Sequence, residues 1–518
     1  MTSLMLLFAC TKQELPKSAN DASLSASEKV ASLPRAGRVT GDVVGKITVG
    51  YQGWFSAAGD GSPVNAFWHT NLEMWPDTRE YASTYGNVPF AQEGTFNEPF
   101  LGTLGNGQPA RMFSAYDQST VDTHFKWMQQ SDIDCAALQR FANEITPGSP
   151  IKAQRDGMAQ KVMSAATSYG RKFYIMYDAS GWGDLTAIKN DWTSTINETL
   201  QLPASNAYAH QNGKPVVCIY GLGYASHPAS VSEALDLINW FKERGCYVIG
   251  SIPGGWRTGN GDSKPNFTQA YKAFNMISAW AVGRIVDGSY ADWINGDRDF
   301  CEANSIDYQP CTYPGTAFHN TNGVISKKNE IPRNHGDFMW SQFTRIRQAG
   351  VTSIYIAMFD ELNEATSIFK VAEDTGMVPK DKYFLTLDAD GVHLSSDFYL
   401  RLVKDGGKML KGISPYQEKH STPFTVSAST TVKFFADINY KGSSTVSLQP
   451  GKYTGLTLLL VGLHNNWASS LTVPAGRTVT MYANDNFKGK SWTINSDTPD
   501  FSKLEPNANN VISSVIVK

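Results

Sequence analysis

The sequence predicts an α/β chain built on a large parallel sheet, followed by a small all-β domain. Three observations predict it. From Lys46 to Asn363, short apolar runs alternate with amphipathic stretches. The runs are apolar throughout, not at every second residue, as strands buried on both faces require. From Thr431 onward the helical period stops and short β-type runs remain.

The predicted strands of the first part are 46–55 (KITVGYQGWF), 135–141 (CAALQRF), 172–178 (KFYIMYD), 214–221 (KPVVCIYG), 246–253 (CYVIGSIP) and 352–361 (TSIYIAMFDE). Helices are expected at Val121–Gln130, Ile151–Tyr169, Val231–Arg244 and Trp340–Gln348. About eight such units favour a closed (β/α)8 TIM barrel over an open doubly wound sheet. No G-x-G-x-x-G follows the first strand, which argues against a nucleotide site. In a barrel the strand ends converge on one face, and here they carry Gln52, Trp54, Arg140, Asp178, Trp256, Arg257, Asp360 and Glu361.

With 518 residues, 41% hydrophobic and 18% charged, the chain has room for two or three domains with substantial cores. A net charge of −3 and the absence of a long basic run exclude a phosphate-neutralising surface, so nucleic acid is not an expected partner. The 13 Trp and 22 Tyr suit a sugar-binding cleft and equally a large mixed core.

The apolar run Leu4 to Ala9 is too short to span a bilayer and ends at Cys10. It resembles the end of a bacterial lipoprotein signal, in which that cysteine is acylated. Residues 1–10 are therefore expected to be signal-like and 11–40 a polar tether. The expected location is extracytoplasmic: an outer-membrane or cell-surface lipoprotein, or a secreted protein. Cys135, Cys218 and Cys246 lie in apolar runs and read as buried thiols, whereas Cys301 and Cys311 lie in a loop-like segment and could pair in an oxidising compartment. No C-x-x-C spacing indicates zinc.

Cleaving a glycosidic bond needs an acid for the departing oxygen and a second carboxylate as base or nucleophile. The best constellation is MFDELNEAT, where Glu361 and Glu364 are spaced i, i+3, so that one turn places both on one side. Two acids favoured by a helix N-terminus would read the same way. Several segments, spread over roughly 45–375, carry a resemblance: VGYQGWFSAAGDGSPVNAFWH, NLEMWPDTREY, FSAYDQSTVDTHFKWMQQSDID, QRFANEI, IMYDASGW and IYIAMFDELNEATSIFKV. The chain resembles the glycoside hydrolase family 71/99-like group. Family 99 enzymes carry an E-x-x-E element in a W-N-E-W-H-E-G-T type stretch, and Glu361 and Glu364 fall on its two glutamates. The resemblance implies that Glu361 acts as base on the sugar 2-hydroxyl and that Glu364 protonates the leaving oxygen, with no cofactor for catalysis. Leu362, Asn363 and Ala365 depart from the family pattern, so a mannose subsite does not follow. Tyr51, Trp54, His69, Arg140, Tyr177, Asp178, Trp256 and Asp360 are the expected substrate-binding residues.

The C-terminal part reads as short β runs: VKFFADI, LTLLLVGL, SLTVPAGRTVTMYA, KSWTINS and ISSVIVK. Phe435-ADIN-Tyr440-Lys-Gly442 and Tyr482-ANDN-Phe487-Lys-Gly489 form an internal repeat, each half followed by an Asn-Asn-x-x-Ser-Ser stretch. This part resembles a βγ-crystallin domain of two Greek-key motifs. The resemblance implies calcium held by Asn465, Asn466 and Ser469 and by Asn509, Asn510 and Ser513. Both signatures use neutral Asn, which leaves less charge to hold the ion.

The expected domains are a barrel at 41–412, a linker at 413–430 and a βγ-crystallin-like, calcium-binding domain at 431–518. The expected function is an endo-acting glycoside hydrolase of an α-linked polysaccharide or glycan, acting as a monomer and touching a membrane only through lipid at Cys10. A non-catalytic glycan-binding lipoprotein is the other class, and a fucan, xylan or arabinan the other substrates.

Overall fold

In the computed structural model the described residues are 41–66, 71–86, 102–181, 184–321, 326–425, 432–438, 440–474, 477–494, 498 and 500–518. The chain divides into two compact units, Met1–Thr422 and Pro423–Lys518.

Unit 1 is built on a parallel, TIM-like sheet. Its strands are β1 (Ile47–Tyr51), β2 (Cys135–Phe141), β3 (Lys172–Asp178), β4 (His210–Gln211), β5 (Lys214–Tyr220), β6 (Tyr247–Ile252), β7 (Met276–Ala279), β8 (Asp307–Tyr308), β9 (Cys311–Thr312) and β10 (Ile354–Ile356). The hydrogen-bonded order is β8-β7-β6-β5-β3-β2-β1-β10-β9, with β4 an antiparallel partner of β5. β8 and β9 are two pieces of one extended stretch. Gln309 donates its N–H to the Ile277 carbonyl in β7, and the Pro310 carbonyl accepts from Tyr355 in β10.

The intervening helices are α1 (Gln118–Gln130), α2 (Pro150–Tyr169), α3 (Thr186–Asn190), α4 (Val231–Glu243), α5 (Thr268–Ala273), α6 (Gly288–Ala303), α7 (Asp337–Gln348) and α8 (Phe398–Leu410). Their ends follow local chemistry. Pro150 opens α2 behind the Ser149 cap, and Gly170 closes it at φ 60°. Ser230 and Glu233 form a capping box at the start of α4. β1 is buried along its whole length. A Cβ at Gly50 would overlap the Tyr355 hydroxyl and the Met358 sulfur, so glycine permits the close approach of the β10 side chains.

Several expectations need correction. Cys301 lies in α6 and Cys311 in β9, not in a loop; both are buried, and burial pushes Cys311 up to about 12. The strand expected over 352–361 is regular only over Ile354–Ile356, because the chain then turns to present its carboxylates. Part of the segment read as a linker packs on unit 1: Trp340 Nε1 donates to the Gln417 carbonyl, and the Thr422 hydroxyl to Asp405. The signal-like segment with Cys10, the tether and His69 lie outside the described residues.

Unit 2 contains two antiparallel sheets. Its strands are β11 (Lys433–Asp437), β12 (Lys441–Ser444), β13 (Gly451–Tyr453), β14 (Ser470–Thr472), β15 (Val479–Asn484), β16 (Lys488–Ile494) and β17 (Ser514–Val517). One sheet runs β12-β11-β14 and the other β13-β17-β15-β16. Phe434, Leu448, Leu471, Met481, Phe501 and Val515 fill the core. LTLLLVGL is not a strand: α9 (Gly455–Leu460) occupies it. Leucine has no β-branch and suits a helical turn, and only Leu458 of this helix is buried.

Candidate active site

The turn over 362–365 follows β10 at the carboxyl end of the sheet. Glu361 is 4% exposed and Glu364 partly buried, with the buried Leu362 between them. The Glu361 carboxylate accepts the Asn363 N–H at 2.7 Å on one oxygen and Gln52 Nε2 at 2.9 Å on the other. The Glu364 carbonyl accepts the Thr316 hydroxyl at 2.7 Å and the Ala317 N–H at 3.1 Å, which fixes the turn.

Burial pushes the Glu361 carboxyl well above its ordinary range. The charge of Glu364 adds to this, while the Asn363 and Gln52 donors oppose it. Burial raises Glu364 to about 7. Two neighbouring carboxyls in a poorly solvated site resist joint ionisation, so one holds a proton near neutral pH.

Asp360 is 1% exposed, and burial raises it to about 6. Both its oxygens are occupied, by the N–H groups of Gln52 at 2.8 Å and Gly53 at 2.9 Å. Its geometry ties the end of β1 to the end of β10.

Other expected binding residues are placed differently. Tyr51 is sealed in the core, its hydroxyl on His124 Nδ1 at 2.9 Å. Tyr81 holds the other ring nitrogen at 2.7 Å, and burial drives His124 down to about 3. Tyr177 is fully buried and donates to Asp191 at 2.7 Å, the same carboxylate that grips Arg140. Trp256 packs edge-on against Phe300 and Tyr271, 1% exposed. Tyr51, Tyr177 and Trp256 are thus all buried, and none presents an exposed ring face. Trp54 is partly buried, stacked on Phe141 at 5.6 Å, and its Nε1 has no partner among the described residues. Asp178, at the end of β3, is partly buried and raised to about 6, chiefly by burial.

Glu73 was missed. It lies in the NLEMWP segment, where nothing in spacing or periodicity distinguishes it. It is fully buried and accepts the N–H groups of Asn320 and Thr321. Its own N–H donates to the Leu362 carbonyl at 2.9 Å, and the Thr321 hydroxyl donates to the Asn363 carbonyl at 2.7 Å. The pieces 71–74, 319–321 and 361–364 are thereby knotted together. Only the tertiary fold brings them into one place.

In unit 2 the two signatures face each other. The Ser513 hydroxyl donates to Asn465 Oδ1 at 2.6 Å, and the Ser469 hydroxyl to Asn510 Oδ1 at 3.4 Å. Asn466 N–H reaches the Ile512 carbonyl, and Asn510 N–H the Ala468 carbonyl. Asn509 Oδ1 is buried without a partner among the described residues, an oxygen that fits a hard cation. The repeat is exact in kind: Ser470 closes the Tyr440 hairpin as Ser514 closes the Phe487 hairpin.

No protein-family model and no curated protein matches the chain. Among solved structures, unit 2 aligns with a βγ-crystallin domain from Clostridium beijerinckii at 46% identity, covering 17% of this chain and 97% of that one, with a TM-score of 0.16. A GH99 endo-alpha-mannosidase from Bacteroides thetaiotaomicron matches at 12% identity over 72% of this chain and 98% of that chain, with a TM-score of 0.52. A second structure of that mannosidase matches at 14% identity over 71% and 98%, with a TM-score of 0.51. The larger part of the chain thus shares the fold of the GH99 endo-alpha-mannosidase.

Proposed function

We propose that unit 1 is a glycoside hydrolase on a (β/α)8 barrel, endo-acting on an α-linked polysaccharide or glycan, with Glu361 and Glu364 as its carboxylate pair. One observation carries this: the buried Glu361 and the partly buried Glu364 lie three residues apart where the chain turns after β10, and Glu364 is raised to about 7. O-glycosyl hydrolysis requires one carboxyl that keeps its proton near neutral pH and a second that works ionised. Glu364 suits the acid. Glu361 is raised as well, well above the ordinary carboxylate range; its two N–H donors oppose that rise and favour the ionised form that a base or nucleophile needs. Trp54 and Asp178, partly exposed at the ends of β1 and β3, are the residues of the expected set best placed to meet a sugar.

We also propose that unit 2 is of βγ-crystallin type and holds calcium between its crossed Asn-Asn-x-x-Ser-Ser stretches. The unpartnered Asn509 oxygen supports this. Lipid on Cys10 would hold the enzyme at a bacterial outer membrane or cell surface.

The test of the enzyme is a panel of α-linked polysaccharides, with fucan, xylan and arabinan included, followed by product analysis. Reducing ends released by the wild type and not by Glu364→Gln are expected. Equal release by the variant, or none from any substrate by the wild type, rejects the proposal.

A further inference from the structure

Gln52 joins the end of β1 to both neighbouring carboxylates. Its backbone N–H donates to Asp360 and its side-chain Nε2 to Glu361 Oε2. The opposite end of the amide, Oε1, is buried and without a partner among the described residues, and the residue is 7% exposed. Burying an amide with one end unpaired carries a desolvation cost that an apolar side chain of the same length avoids. The fold alone therefore gains little from glutamine at this position. What the amide supplies is a proton donor aimed at Glu361.

That donor acts against strong opposition. Burial and the charges of Glu364 and Asp360, both on its own loop, all favour the protonated form of Glu361. Glu73, on the packed segment 71–74, is a further acidic residue beside this loop; its backbone N–H donates to the Leu362 carbonyl, and its carboxylate accepts from Asn320 and Thr321. Two N–H groups favour the ionised form, and the Asn363 one belongs to the backbone. Gln52 supplies the side-chain donor.

We propose that Gln52 is the positioning residue of Glu361: its amide fixes the carboxylate rotamer and favours the ionised form. The proposal rests on the assignment of Glu361 and Glu364 as the catalytic pair, but its test does not need a substrate. Full-length wild type, Gln52→Met, Glu361→Gln and the double variant are melted across pH 4–9. The difference between proteins with and without Glu361 gives the titration of that carboxyl in the fold. A carboxyl with a raised folded value contributes stability below its unfolded value and loses it as pH rises through the folded value. Removing the Gln52 donor raises the folded value further, so the midpoint of that loss is expected to move upward by about one pH unit in the Gln52→Met background. Gln52→Met should be no less stable than wild type at pH 4, where Glu361 is protonated in both.

An unchanged midpoint overturns the proposal. If Gln52→Met fails to fold, Gln52→Asn fits the same space, falls one methylene short of Glu361 and must show the same upward shift. Where a polysaccharide is cleaved, the acid limb of the pH profile, where Glu361 takes up its proton, is expected to move with the midpoint, and kcat to fall more than KM rises. Hydrolysis retained in Glu364→Gln would refute the catalytic pair and leave the Gln52 titration standing as a separate result.

Discussion

Arg140 and Asp191 meet in a two-pronged ion pair at 2.7 and 2.6 Å, with each side chain 2% exposed. Tyr177 adds a third bond to the same carboxylate, and Asp156 accepts from the same Nη2 of the guanidinium at 2.6 Å. The arginine at the end of β2 is committed to the fold. A sugar could not displace Asp191 without breaking this buried, two-pronged pair.

Arg140→Leu should therefore act on stability rather than on substrate affinity. Stranding the Asp191 carboxylate costs about 3–5 kcal/mol. A large fall in melting temperature is expected, with KM unchanged for whatever protein remains folded. A normal melting temperature with a raised KM would return Arg140 to the substrate.

Glu364→Gln should abolish hydrolysis and change stability in a pH-dependent way. The folded carboxyl lies near 7, above its ordinary 4.5. The stability it contributes is intact below about 4.5 and lost as pH rises through 7. The glutamine variant should match wild type near pH 4 and exceed it by about 1–3 kcal/mol at pH 8. Denaturant titrations at the two pH values decide the sign.

Ala365 adopts φ 52°, a left-handed conformation that suits glycine. Its carbonyl is held by Arg333 at 2.8 Å, so the strain cannot relax by turning the peptide. Ala365→Gly is expected to stabilise the protein by about 0.5–1 kcal/mol. A lowered melting temperature would show that the Ala365 methyl packs to better effect than its backbone is strained.

Glu73→Ala removes the acceptor of two N–H groups on the 319–321 segment. It should destabilise by about 2–3 kcal/mol and lower kcat by loosening the 361–364 turn. Glu73→Gln keeps an acceptor oxygen and should recover most of both losses; thermal melts and initial rates of the two variants check this.

Calcium added to the full chain should raise the melting transition of unit 2 by an amount that grows with the logarithm of ion concentration, about 2.7 kcal/mol at a hundredfold excess over Kd. Asn509→Ala should weaken that rise without altering unit 1. Calorimetry showing one unmoved transition for unit 2 would exclude the ion.

Local chemistry determined much of this protein without its fold. The strands at 135–141 and 172–178 are legible to the residue, because unbroken apolar runs record burial on both faces. The paired glutamates and the repeated Tyr/Phe-Gly hairpins are legible too, since their partners lie close in the chain. β7, β8 and β9, two to four residues each, were not, because strands so short leave no period to detect. Nor could sequence tell Trp54, partly exposed, from Tyr51, sealed behind it against His124. Glu73 and Gln52 reach the 361–364 turn across sequence separations of nearly 300 residues and more. Which carboxylates become buried together, and which amides then face them, depends on contacts between distant segments. Desolvation by those contacts sets the proton affinities that chemistry needs, and only the tertiary structure decides it.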